Sequence, residues 1–423
     1  MPPARRGPDD SVVSTRIVIL GGGTGGTIVA NRLRRRYPTA DASITVVDRD
    51  DRHVYQPGLL FVPFGLADPA RLVRSRRAQL RSGVRFHEGE VDAVSLAENE
   101  VRLEDGTALP YDVLVVASGV VLQPEETDGL VWSDTVHTFY ELDRAVALRE
   151  ALERFDGGRL VVDIVDMPIK CPVAPIEFVF LADWWLRSRG LRPRSELVLA
   201  TPLDGCFTRP IASKHLTKLL AEKEIRLEVE FAAGEVDAAA GRISSYDGRD
   251  IAFDLLVAVP LHGGAAYLTR SPGLADSLGF VPVDPGTLQT TAAQNVFALG
   301  DATDAPTSKA GSVAHFESEI LVENVARFLE GAPLEPAYDG HANCFVETGN
   351  HRALLIDFNY DLEPVPGRYP RALGLPLLRE SRLDHLGKLA FQWIYWHALL
   401  PGRTIPGVTA TMPRAGKRIP AAA

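Results

Sequence analysis

Residues 16–38, RIVILGGGTGGTIVANRLRRRYP, constrain this chain more than any other stretch. An apolar, β-rich run ends in glycines and a helix-like stretch follows; ASITVVDRD then supplies a second strand. Gly21, Gly23 and Gly26 fit GxGxxG, and Asp48 lies 22 residues beyond Gly26 at the end of that strand. Small residues let the backbone approach a pyrophosphate at a helix N-terminus, and the carboxylate can accept bonds from ribose hydroxyls. The unit therefore predicts an α/β, Rossmann-like dinucleotide-binding domain.

Two later runs extend that domain. YDVLVVASGV (111–120) reads as a buried strand ending in small residues, Ala117 and Gly119 among them, and NVFALGDATDAP (295–306) as another ending in Gly300 and Asp301. A strand-end Gly-Asp pair suits the ribityl and pyrophosphate region of a flavin, with a helix cap as the lesser reading of Asp301. Between them RLVVDIVD, ELVLAT, IRLEVE and FDLLVAVP alternate with helix-like APIEFVFLADWWLRSRG and ASKHLTKLLAEK, which implies a second parallel sheet inserted into the first domain. The expected division is 16–120 with 285–340, then 121–284, and 341–423 as a C-terminal domain. Residues 1–15 read as a disordered lead without a signal sequence.

With 423 residues, 46% of them hydrophobic, the chain can bury a large core. A net charge of −10 argues against nucleic acid as partner. Three cysteines cannot make a secreted disulfide framework, and no metal-ligating set stands out.

The order of these pieces resembles the two-dinucleotide-binding-domain flavoproteins, and within them sulfide:quinone oxidoreductases and flavocytochrome c sulfide dehydrogenases. The matching segments are ILGGGTGG, HVYQPGLLFVPFG, KCPVAPIEF, FALGDAT, KAGSVAHFESEILVENV, CFVETGNHRALLIDF and HLGKLAFQWIYW. The resemblance implies FAD, held near Gly300, Asp301 and Lys309 as well as the first glycines. No cysteine precedes residue 171, so attachment is expected to be non-covalent. Relatives that oxidise NAD(P)H carry a second glycine fingerprint after the strand matching LVVDIVD. Here MPIKCPVAP stands in its place, which disfavours that cofactor.

The resemblance further implies that Cys171 and Cys344, 173 residues apart, form a redox pair at the flavin. Sulfide or a related thiol or persulfide would be the donor and sulfane sulfur or polysulfide the product. Cys171 would take the first attack and Cys344 would face the flavin. Lys170 and the following helix N-terminus are expected to lower the Cys171 pKa. Glu177 matches a proton-relaying carboxylate, though a helix-start Glu is an equal reading; His137 matches a proton-transfer histidine, though a satisfied surface imidazole is the stronger reading. Cys206 reads as structural.

Electrons would leave to a quinone, with Lys388 and Phe391 matching the family's lysine and ring-stacking phenylalanine. Trp393, Tyr395 and Trp396 suit the lipid headgroup zone, so a peripheral site on the cytoplasmic face of a membrane is expected; the same stripe suits a core or a homo-oligomer face. Two alternatives stand beside this reading: a type II NADH:quinone dehydrogenase, and a flavin-bearing redox sensor or electron-transfer protein without membrane turnover.

Overall fold

The computed structural model describes residues 14–371 and 373–419. Most of the expected N-terminal lead, and the reading of its signal content, lies outside the described residues; Thr15 already opens the first strand.

Five parallel strands form the first sheet in the order Val296–Ala298, Val113–Val116, Thr15–Leu20, Ala42–Asp48, Val84–Glu88. Along Thr15–Leu20, Ile17 and Ile19 turn to the side where Ile28, Val29 and Leu33 of the helix Thr24–Arg36 pack. Val18 and Leu20 turn to the other side, onto Val94, Val101 and Leu268. Burial on both faces is why these strands read as unbroken apolar runs rather than as alternation.

The second sheet is also parallel, ordered Val136–His137, Leu255–Val259, Gly158–Ile164, Ser195–Ala200, Arg226–Glu228. Each sheet is covered on one face by a three-stranded antiparallel ribbon, from strands within residues 91–110 and 233–252. Sequence reasoning missed both ribbons, because their strands are only three to five residues long and mix polar with apolar residues.

After these comes the hairpin Ala342–Gly349 and Arg352–Phe358, widened by Leu375–Leu377 and Gly367–Tyr369. A buried trio fastens its start: Asp357 accepts from His341 Nε2 at 2.9 Å and pairs with Lys417 Nζ at 2.5 Å. The His341 ring stacks on Phe316 of the helix Gly311–Leu329, 4.0 Å between centroids. The C-terminal helix Arg382–Ile394 follows, continuing into a π-helical turn at Tyr395–Leu399.

Candidate active site

The glycine loop is tight for a definable reason. A Cβ on Gly26 would lie 1.8 Å from the Gly21 carbonyl oxygen, and Gly21, at φ +102°, would press one against the Ala117 carbonyl at 2.4 Å. Ala117 thus lies against the loop just past its strand, whereas a Cβ on Gly23 or on Gly119 would meet nothing within 4 Å. Gly23 borders open space at the N-terminus of the helix Thr24–Arg36, where a phosphate can approach. Asp48 accepts from the Gly22 N–H at 2.7 Å and pairs with Arg76 at 2.5 Å. Burial raises its pKa, with Arg76 pulling the other way.

At the far strand end the Gly300 N–H donates to Glu317 at 2.5 Å. Glu317 is buried, its other oxygen has no partner among the described residues, and burial pushes its pKa up to about 8. The Asp301 carboxylate is left without a hydrogen-bond partner among the described residues and is not sealed from solvent. Lys309 donates to the carbonyls of Asp301, 3.0 Å, and Thr303, 2.7 Å. A glycine cradle, a helix N-terminus and a free strand-end carboxylate fit a dinucleotide cofactor.

Cys171 sits in the turn between the strand Gly158–Ile164 and the helix Ala174–Ser188, at φ +50°, a region non-glycine residues seldom occupy. Its N–H donates to the Lys309 carbonyl at 2.6 Å, while its own carbonyl accepts from the Ala174 N–H at 2.8 Å and the Tyr140 hydroxyl at 3.4 Å. The backbone donor that would meet a phosphate in this turn is therefore already used.

Cys344, on the strand Ala342–Gly349, is half-buried like Cys171, and both are free thiols packed on one core cluster. A charge on Cys171 raises the Cys344 pKa, which places the two within electrostatic reach. Burial pushes the Cys171 thiol up to about 12, and Glu177 adds to the rise. The expected lowering by Lys170 and the helix end is thus corrected: desolvation outweighs both, and the cation that opposes it is Lys388. Lys170 instead lies over the Tyr140 ring at 5.8 Å.

Glu177 and Lys388 come from the helices Ala174–Ser188 and Arg382–Ile394, and they meet as an ion pair. The two residues expected on the sulfur side and on the quinone side are thus in direct contact. Glu177 also accepts from the Glu347 N–H at 2.7 Å. Burial raises its pKa against the pull of Lys388. Phe391, one turn beyond Lys388, packs near Tyr55, 6.5 Å between centroids.

His137 does not join this group. Its ring bonds the Asp134 carbonyl at 3.1 Å, and the charges acting on it are those of Arg154, Asp134 and Arg144. Tyr140, three residues on, is what reaches Cys171. His262, also missed, is fully buried beside Tyr140 at 5.1 Å; burial and then Lys170 hold its pKa down to about 3, so the ring stays neutral. Nothing in local spacing could have exposed Tyr140, His262 or Glu317, since tertiary packing alone brings them here.

The aromatic stripe divides. Tyr395 and Trp396 are 2% and 3% exposed, so the headgroup expectation is corrected for them. The Tyr395 hydroxyl bonds His53 Nε2 and Thr24 Oγ1, each at 2.7 Å, tying the C-terminal turn to the glycine loop. Trp393 is 66% exposed and shares its face with Leu383, Leu386 and Leu389, all exposed.

The Pyridine nucleotide-disulphide oxidoreductase family matches residues 15–162. The mitochondrial sulfide:quinone oxidoreductase of Mus musculus is 29% identical over 396 residues, covering 91% of this chain and 86% of the relative. That of Dictyostelium discoideum is 28% identical, covering 92% and 86%. The crystal structure of the sulfide:quinone oxidoreductase from Aquifex aeolicus superimposes with a TM-score of 0.78 at 19% identity, covering 92% of each chain. The chain is thus similar to sulfide:quinone oxidoreductases over about nine-tenths of its length, shares their fold, and matches the pyridine nucleotide-disulphide oxidoreductase family over residues 15–162.

Proposed function

We propose that this protein oxidises sulfide, or a related thiol or persulfide, at Cys171 and Cys344, and passes two electrons through FAD to a quinone. The observation that carries this reading is that two half-buried thiols distant in sequence pack on one core cluster, within reach of the charges of the Glu177–Lys388 ion pair. FAD, held by Gly21, Gly23, Gly26, Asp48, Gly300 and Asp301, supplies the two-electron acceptor. In the oxidised pair, hydrosulfide attacks the Cys171 sulfur; the S–S bond breaks, Cys171 keeps a persulfide and Cys344 leaves as thiolate.

Burial opposes any thiolate here, so the cluster must compensate it. A proton moving from sulfur to Glu177 releases Lys388 from its ion pair and leaves the ammonium to balance the new thiolate. Net charge in the cavity stays constant, and this keeps the transfer feasible in a desolvated site.

A type II NADH dehydrogenase is disfavoured because the Cys171 N–H is bonded to Lys309 and the Glu177 carboxylate stands in the first helical turn, where a phosphate would be repelled. The test is an anaerobic titration of the holoenzyme. Flavin colour should bleach with sulfide, persist with NADH, and return with a short-chain quinone. Bleaching by NADH alone would reverse the assignment.

Among the described residues no helix is long and apolar enough to cross a membrane. The exposed row Leu383, Leu386, Leu389 and Trp393 supports attachment to one leaflet, close to Lys388 and Phe391 on the inward side of the same helix. Replacing Leu386, Leu389 and Trp393 together by Ser should cut vesicle partitioning about 100-fold, at roughly 1 kcal/mol for each half-exposed side chain. Sedimentation with lipid vesicles measures it; undiminished partitioning would remove this face from the attachment.

A further inference from the structure

An acid–base pair without a part in the chemistry above lies next to the thiol cluster. Glu347 is three residues beyond Cys344 on the same strand and only 1% exposed. Its two carboxylate oxygens lie 2.9 and 3.1 Å from His385 Nδ1, and its N–H is the one donated to Glu177. His385 stands one turn before Lys388 on the C-terminal helix, so both side chains project towards the same side. The other ring nitrogen, Nε2, has no protein partner among the described residues and is open to solvent. His351, exposed in the hairpin turn, sets its ring edge against His385 at 5.4 Å.

The imidazole therefore touches a sealed carboxylate with one nitrogen and water with the other. A surface ion pair has no need of a carboxylate buried so deeply, because desolvating it costs stability. The groups facing Glu347 are Lys388 and His385 from the C-terminal helix, His351 from the hairpin turn, and Glu177 from the helix Ala174–Ser188. Burial raises the Glu347 pKa while Lys388, His385 and His351 act against that rise, the balance a relay carboxyl requires.

We propose that Glu347 and His385 form the solvent end of a proton path from the thiol cluster, linked to Glu177 by Lys388. The proposal rests on the sulfide reading above. Oxidising one molecule of hydrogen sulfide to a sulfane sulfur releases two electrons and two protons; the electrons go through FAD to quinone, and the protons need an exit of their own. Each proton passes from sulfur to Glu177. Lys388, whose flexible stem carries its ammonium between the two carboxylates, hands it to Glu347. His385 Nδ1 takes it while Nε2 releases one to water.

The test is stopped-flow bleaching of the holoenzyme by sulfide across a pH series. His385→Ala should slow bleaching about 100-fold and shift its pH profile, and millimolar imidazole should restore most of the rate. Glu347→Gln should be equally slow, with no rescue by imidazole. Full FAD content and an unchanged circular dichroism spectrum establish that the variants are folded; should His385→Ala fail to fold, His385→Gln carries the pH-profile comparison. An unaltered rate and profile, or a slow variant with a wild-type profile and no rescue, overturns the path. If the wild type is not bleached by sulfide at all, the underlying reading falls and the path with it.

Discussion

On the proposed thiol mechanism, Cys344→Ala should abolish sulfide-driven bleaching of the flavin, by about 10³-fold or more, while FAD stays bound. Without the second sulfur no S–S bond can form, so hydrosulfide has no electrophile to attack. The cradle is untouched, since the contacts of Gly21, Gly26 and Gly300 involve neither cysteine. Cys171→Ala should behave alike. Cys206→Ala should not, because its sulfur is buried against Ser213 and Thr217, where Thr217 donates to it at 3.4 Å. Stopped-flow absorbance on the three variants decides the matter, and a normal bleaching rate in Cys344→Ala would end the thiol mechanism.

Lys388→Met carries the second large effect, on stability as well as on turnover. Removing the ammonium leaves Glu177 buried without its countercharge, which should cost about 3 kcal/mol near neutral pH. The pH dependence follows from the direction of the shift. Burial already holds the Glu177 carboxyl above the usual carboxylate range, and Lys388 opposes that rise, so the variant raises the pKa further. A carboxyl with a folded pKa above its unfolded value of about 4.3 costs nothing when both states are protonated. The cost grows as pH climbs from there to the folded pKa and is then complete. Denaturant midpoints of the holoenzyme should therefore nearly coincide for variant and wild type near pH 4 and separate towards pH 7. Glu177→Gln combined with Lys388→Met should recover much of the loss, since no charge is then buried. A deficit equal at every pH would contradict the ion-pair account.

The placement of Lys388 also bears on how the two half-reactions communicate. One ammonium pairs with Glu177, sits 5.4 Å from the Phe61 ring and acts electrostatically on both thiols. On the mechanism proposed above, a change of charge at sulfur would thereby be felt on the C-terminal helix that carries Phe391 and the exposed leucine row. Coupling of this kind needs no conformational change beyond the lysine side chain.

What residue order alone determined was periodic or local. The run RIVILGGGTGG with Asp48 specified a βαβ dinucleotide unit, because strand, tight turn and helix each leave a signature within a few residues. The second parallel sheet was legible for the same reason, and MPIKCPVAP showed that a phosphate loop was missing there. Tertiary structure alone decided what depends on desolvation and on partners distant in the chain. Burial drives the Cys171 pKa upward where neighbouring residues suggested a fall, and His137 bonds Asp134 while Tyr140 reaches Cys171. Tyr395 and Trp396 pack inward and leave Trp393 to the outside, although all three share one short aromatic stretch. Charge stabilisation depends on which groups a fold brings together out of water, and no spacing along the chain encodes that.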